Sequence, residues 1–172
     1  MLAIRNGDEG AFETLMGRHV DALYRYALRL SNSHALADDL TQETWLTVWE
    51  KTSSFKPRKA ALKTWLFRIV HNKFIDTIRK QKFESEELPP EAHGEDLSSL
   101  AENQRNQETL FREIGRLPEQ QRAAILLAYA QGFGNKDIAH ILGTSVSATE
   151  SLLGRARRTL KDKYEQRSQT SD

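Results

Sequence analysis

Residues 135–153 limit the possible folds more than any other stretch of this chain. Ile138, Ala139 and Leu142 fall at helical spacing, and Ala139 is small where two helices must cross closely. Gly143 can end a first helix in a left-handed turn at no steric cost. Ser145 or Ser147 can cap a second helix, and Val146 then packs back into the angle between the two. The pattern is a helix-turn-helix, a unit whose second helix enters a DNA major groove.

The rest of the chain also reads as helix, and no strand pattern appears. Phe12, Leu15, Met16, Val20, Leu23, Ala27 and Leu30 recur at three- and four-residue steps, the apolar face of a first long helix. Ser31-Asn32-Ser33 breaks it, and Ser33 is a ready N-cap for a second helix running to about Lys51. Pro57 sits in a short loop rich in Lys and Arg, and a third helix runs from about Ala61 to Gln81. Residues 83–104 then change character, with Pro89-Pro90, Gly94 and seven acids but no base. Such a segment cannot bury enough apolar surface to fold alone. Helix returns near Gln104. Leu117-Pro118 opens another helix, with Pro tolerated in its first turn and Ile125, Leu126 and Tyr129 facing the core. The fold class is therefore all-α, with two small helical domains joined by a flexible acidic linker. The predicted bounds are 1–82, a linker at 83–104, a helix-turn-helix domain at 105–165 and a tail at 166–172. Each domain is near the small end for independent stability.

The formal net charge of +1 hides strong patterning. Residues 1–55 carry five basic and eight acidic side chains, and residues 56–82 carry nine basic and one acidic. Residues 105–172 carry eleven basic and eight acidic side chains. A nucleic-acid footprint is a local basic face, so a near-neutral total does not argue against one. The chain has no cysteine, which removes disulfides and thiolate metal sites. No apolar run approaches a membrane span, so no membrane insertion is expected and a reducing cytoplasm is the default compartment.

On the third helix, Leu62, Leu66, Ile69, Val70 and Phe74 share an apolar side. Trp65, Arg68, Asn72, Asp76 and Arg79 fall on another side, next to the basic loop Lys56-Pro57-Arg58-Lys59. Cations can hold phosphates while a ring or pocket takes an unstacked base, so this side suits single-stranded DNA. The other reading makes Trp65 core and the cations a solvated face; the charge of the region favours DNA. On the second helix, Asp38, Gln42, Trp45 and Trp49 line one stripe. Acids in a first turn also stabilise the helix dipole, by a few tenths to about 1 kcal/mol. That accounts for Asp38 and Asp39 but not for Gln42 and Glu43 leading toward two tryptophans, a combination that suits a protein interface. Spacing alone leaves the two readings level.

Together these residues resemble a bacterial sigma factor of the extracytoplasmic-function type, over about Ala11 to Tyr164. The run Asp38-Asp39-Leu40-Thr41-Gln42-Glu43-Thr44-Trp45-Leu46-Thr47-Val48-Trp49 resembles that family's polymerase-binding helix. Thr64-Trp65-Leu66-Phe67-Arg68-Ile69-Val70-His71-Asn72 resembles the segment after its minus-ten recognition loop. Leu117-Pro118-Glu119-Gln120-Gln121-Arg122 and the helix-turn-helix resemble its minus-thirty-five reader. The order of the three pieces is more specific than any one of them.

The resemblance implies roles. Asp38, Asp39, Gln42 and Glu43, with Trp45 and Trp49, would contact the clamp coiled coil of core RNA polymerase. Lys56, Arg58, Lys59 and Lys63 would belong to the loop that captures a flipped minus-ten base. Thr64, Trp65, Arg68, Asn72, Lys73 and Arg79 would line the locally single-stranded promoter. Asn135, Lys136, Ser145, Ser147, Thr149, Glu150, Ser151, Arg155, Arg157 and Arg158 would meet the double-stranded minus-thirty-five element. The linker would thread through the polymerase. An anti-sigma factor, membrane-linked or soluble, is a further partner that the resemblance implies and the sequence does not show.

This chain departs from the family pattern at Glu150 and Leu152, where members often carry Lys and Arg. Arg155, Arg157 and Arg158 supply charge a turn later. Glu150 either accepts from a cytosine amino group or simply caps the helix or faces solvent. The linker either lies against the basic 56–82 face or is a plain solvated tether, the reading preferred here.

Energetics point to a larger partner. DNA stacking is worth roughly 1.4 kcal/mol per step, so opening about ten pairs costs on the order of 14 kcal/mol. A captured base returns about 1–3 kcal/mol. A domain holding one or two bases can nucleate melting but not sustain a bubble.

A different class of protein, a stand-alone dimeric helix-turn-helix regulator, would need a dimer interface and would bind DNA without polymerase. The stripe at 38–50 and the asymmetric layout argue against it. An enzyme has less support still. Asp38, Asp39 and Glu43 have no His at ligand spacing, and His19, His34, His71, His93 and His140 are scattered. No glycine-rich phosphate loop, nucleophile motif or zinc motif is present. No catalytic residue, metal or cofactor is expected.

Overall fold

A computed structural model describes residues 1–56, 61–84 and 102–170. Among the described residues there are eight α-helices and no strand. They are α1 (Leu2–Arg5), α2 (Glu9–Ser31), α3 (His34–Glu50), α4 (Leu62–Glu84), α5 (Glu102–Gly115), α6 (Glu119–Ile125), α7 (Asn135–Leu142) and α8 (Val146–Thr170). A 3-10 turn follows α3 at Thr52–Ser54, and a π-helical turn continues α6 over Leu126–Ala130.

Local chemistry sets the helix ends. The Asp8 carboxylate accepts from the Ala11 N–H at 2.8 Å and starts α2. Asn32, left-handed at φ 55°, stops it, because an Asn side chain tolerates that region better than a bulkier one. The Ser33 hydroxyl then accepts from the Leu36 N–H at 3.3 Å and starts α3. So short a turn lays α3 back along α2. Thr41 and Thr44 are buried in α3, and their hydroxyls donate to the Ala37 and Leu40 carbonyls at 2.7 Å, so neither is left unpaired.

The N-terminal core gathers Leu23, Tyr26, Ala27 and Leu30 from α2, Ala37, Leu40 and Val48 from α3, and Leu66, Phe67, Val70 and Phe74 from α4. Burying each large apolar side chain contributes about 1.5–3 kcal/mol before entropy is subtracted. The Tyr26 ring lies 5.3 Å from that of Phe67, and its hydroxyl lies 3.2 Å from His71 Nδ1. Burial pushes the Tyr26 hydroxyl up and the His71 imidazole down to about 4.

In the C-terminal half, α6, α7 and α8 close on Ile125, Leu126, Leu127, Ile138, Ile141, Leu153 and Ala156. Glu113 of α5 is buried, and its carboxylate holds Arg116 at 2.9 Å and Lys163 of α8 at 3.1 Å. Pro118 is the N-cap of α6 rather than a residue of its first turn. Val146 is 38% exposed and stands outside the core, whereas Ala139 and Ile141 of α7 and Leu153 of α8 are buried. Tyr129 is exposed instead of core. The π turn, with the Gln131 N–H donating to the Leu126 carbonyl at 3.2 Å, adds a residue to one turn and rotates Tyr129 outward.

The two halves touch. α4 lies along α7, and α2 reaches the π turn and α5, where the Arg29 guanidinium stacks 4.1 Å above the Phe111 ring. The loop residues Pro57 to Ala60, including Arg58 and Lys59, lie outside the described residues, as does most of the acidic linker.

Candidate functional site

Three surfaces carry the residues singled out from the sequence. The first is the outer side of α3, where Asp38, Asp39, Gln42 and Glu43 are exposed. Leu46, 61% exposed, and Trp49, 40% exposed, extend it. Leu46 escaped the sequence reading, although it sits three residues beyond Glu43 on that side. Trp45 is buried, so it supports this surface rather than forming it. It falls on the core side of the stripe, where its ring meets Phe12 edge-on at 5.9 Å. Trp49 also meets Phe12, at 5.1 Å, and holds its remaining edge outward.

The second surface is α4 and the turn before it. Lys56, Asn72 and Arg79 are exposed. Lys73 is half-buried and pairs with Glu43 of α3 at 3.0 Å. Trp65 is half-buried against Phe55 at 5.3 Å, between the two roles left open for it. The N-terminal part of this strip is not an open face. The Lys63 ammonium donates to the Gln131 carbonyl at 2.7 Å and sits 4.6 Å above the Phe133 ring. The Thr64 hydroxyl is buried and donates to Asp137 Oδ1 at 3.0 Å. Arg68 donates to His140 Nε2 at 3.2 Å. The physical reason is Phe67, a residue outside the apolar set read from the sequence. It is fully buried and meets Phe133 edge-on at 5.1 Å, which draws α7 onto α4.

The third surface is the helix-turn-helix. Gly143 ends α7 at φ 66°, and the Thr144 N–H reaches back to the Ala139 carbonyl at 3.0 Å. The Ser145 hydroxyl then accepts from the Ala148 N–H at 3.1 Å, capping α8. Lys136, Ser145, Ser147, Glu150, Ser151, Arg155, Arg157 and Arg158 are exposed. Thr149 is fully buried, so it supports this face from beneath. Leu152 is 7% exposed and belongs to the core, which is why an Arg has no place there. Glu150 accepts from Asn135 Nδ2 at 3.3 Å, joining α7 to α8 on the outer face. Arg157 donates through Nε to the Tyr129 hydroxyl at 2.7 Å, a partner no local period could reveal.

Among the described residues no group of three His, Cys, Asp or Glu side chains is placed to hold a metal. No described helix is long and apolar enough to cross a membrane.

Two regions of the chain match known families: residues 15–84 match Sigma-70 region 2, and residues 107–160 match Sigma-70, region 4. This pair, in this order, defines the sigma class of transcription initiation factors. SigM of Mycobacterium tuberculosis is 35% identical over 157 residues, which cover 90% of this chain and 77% of that one. SigE of Mycolicibacterium smegmatis is 30% identical over 170 residues, and the chain spans 63% of its length. Among solved structures, the sigma factor RpoE in complex with the anti-sigma factor NepR from Bartonella quintana matches with a TM-score of 0.72 at 30% identity. That match covers 88% of this chain and 95% of the other. The chain belongs to the ECF RNA polymerase sigma factors.

Proposed function

We propose that this chain binds core RNA polymerase, directs it to promoters with minus-thirty-five and minus-ten elements, and nucleates DNA melting there without chemistry of its own. The observation that carries this reading is the separation of its exposed faces. An acidic and aromatic side of α3 is offered to a protein, while a polar and cationic side of α8 is offered to a groove. Asp38, Asp39, Gln42, Glu43, Leu46 and Trp49 would meet the polymerase. Ser145, Ser147, Glu150, Ser151, Arg155 and Arg158 would meet the minus-thirty-five duplex. Lys56, Trp65, Asn72, Lys73 and Arg79 would meet the separated minus-ten strand, with Lys63, Thr64 and Arg68 joining once α7 moves away. The likeness to a relative captured with its anti-sigma factor supports a similar silencing partner for this chain.

In vitro transcription with core polymerase on a random promoter library tests the reading. The expected result is chain-dependent transcripts that share two motifs at fixed spacing. Failure to associate with core polymerase, together with binding to DNA as a symmetric dimer, would overturn it. With polymerase absent, a fluorescent base in the minus-ten element is expected to stay quenched.

A further inference from the structure

In the π turn, Leu126 and Leu127 are buried, while Tyr129 is 66% exposed. A wide turn that faces a large aromatic ring outward gives up apolar burial, and such turns recur at functional sites. The exposed ring has one partner. The Arg157 Nε–H donates to the Tyr129 hydroxyl at 2.7 Å, and the guanidinium carbon lies 5.6 Å from the ring centroid. This tie runs from the turn before α7 to the recognition helix α8. The other exposed cations of α8 are not held in this way. Arg155 reaches back to the Ser151 carbonyl of its own helix at 3.3 Å, and Lys161 pairs with Glu165 one turn on. Among the described residues, no side chain from another element holds Arg155, Arg158 or Lys161.

The chemistry of the tie leaves Arg157 fit to bind an anion. A carboxylate in the place of Tyr129 would offset the charge, whereas a phenol is neutral and leaves it whole. Only Nε–H is engaged, and no described residue takes the Nη atoms. The end of the guanidinium fork, with its two parallel N–H groups, stays open to two oxygens of one phosphate. Position argues for a phosphate over a base. Arg157 follows Glu150 by seven residues, on nearly the same side of α8 and about 10 Å further along its axis. The first turns of a recognition helix meet base edges. A side chain that far beyond them reaches the rim of a groove about 12 Å wide, where the sugar-phosphate backbone runs. We propose that Tyr129 is a positioning residue of the DNA reader, holding the Arg157 guanidinium for a backbone phosphate that flanks the minus-thirty-five element. The inference rests on the proposed docking of α8 in that duplex. Tyr129 adds no charge and reads no base. It orders a long side chain before binding, so less rotamer freedom is lost when the phosphate is engaged.

The test uses the full chain and a fluorescein-labelled random-sequence duplex, with binding read by anisotropy over a series of salt concentrations. Tyr129→Phe keeps the exposed ring and removes only the hydroxyl. Arg157→Gln removes the charge, and Arg155→Gln and Arg158→Gln are the references. Each arginine variant is expected to flatten the slope of log affinity against log salt by about 0.9. Tyr129→Phe should leave that slope as in the wild type, because the charge remains, yet weaken binding roughly three- to fivefold at a fixed salt concentration. Added to Arg157→Gln, the same change should cost nothing more. A general structural role for Tyr129 would instead weaken binding equally with and without the Arg157 side chain, and that result overturns the proposal. Wild-type affinity in Tyr129→Phe overturns it too, as does an unchanged slope in Arg157→Gln alone. An unchanged slope in all three arginine variants removes α8 from the DNA and takes the proposed function with it.

Discussion

The buried His71–Tyr26 pair makes folding sensitive to mild acid. His71 is 5% exposed, and burial holds its imidazole down at about 4 against an ordinary value of 6.5. At about 1.4 kcal/mol per tenfold change in proton affinity, burying the charged ring costs about 3 kcal/mol. Between pH 6.5 and about 4 the unfolded chain takes a proton that the folded chain refuses. Stability is therefore undiminished above that window, falls as pH drops through it, and levels off below. A loss of that size is a large part of the roughly 5–15 kcal/mol that holds a domain together. The control is the double variant Tyr26→Phe/His71→Leu, which replaces both partners with apolar groups and leaves no hydroxyl unpaired. Urea unfolding followed by circular dichroism, from about pH 7.5 to about pH 4.5, gives one stability curve for each protein. Carboxylates that titrate toward the acid end act in both proteins and cancel in the difference. The wild type is expected to lose about 2–3 kcal/mol more than the double variant over that span. Parallel curves would refute the reasoning.

Four further outcomes follow from the exposed faces and the side chains buried beneath them. Trp45→Ala is expected to lower stability by about 3–5 kcal/mol in urea melts. Trp49→Ala should cost less stability than Trp45→Ala, because 40% of Trp49 is exposed, yet weaken core polymerase binding by about 2 kcal/mol in a fluorescence titration. Leu152→Arg should destabilise the C-terminal half by several kcal/mol, because it buries an unpaired guanidinium; tighter DNA binding with an unchanged melting temperature would count against that. Glu150→Ala should alter base preference at one minus-thirty-five position, by about 1–3 kcal/mol of discrimination, in a sequence selection. An unchanged motif would remove Glu150 from base reading.

Features governed by a few neighbouring residues were legible in the sequence. Ser33 announces a helix start, Gly143 a helix end, and the spacing of Leu23, Ala27 and Leu30 a core face, while the choice of Ser145 over Ser147 as the next cap is made only by the structure. Trp45 and Trp49 could not be told apart, because both meet Phe12 of another helix and they differ only in how far the core covers them. Tyr129 was misplaced because a periodicity of 3.6 assumes no wide turn. The contacts of Lys63, Thr64 and Arg68 with α7 and the turn before it join residues 68 to 73 positions apart. No local pattern encodes such pairings, so the covered state of α4 emerges only in three dimensions.

The wide turn at Leu126–Ala130 also bears on how relatives should be aligned. It absorbs one surplus residue between a helix that closes the core and the segment leading to the DNA reader. A homologue lacking that residue would close an ordinary turn there and keep both flanking blocks in place. Ungapped alignment through this point would pair inward positions of one protein with outward positions of the other.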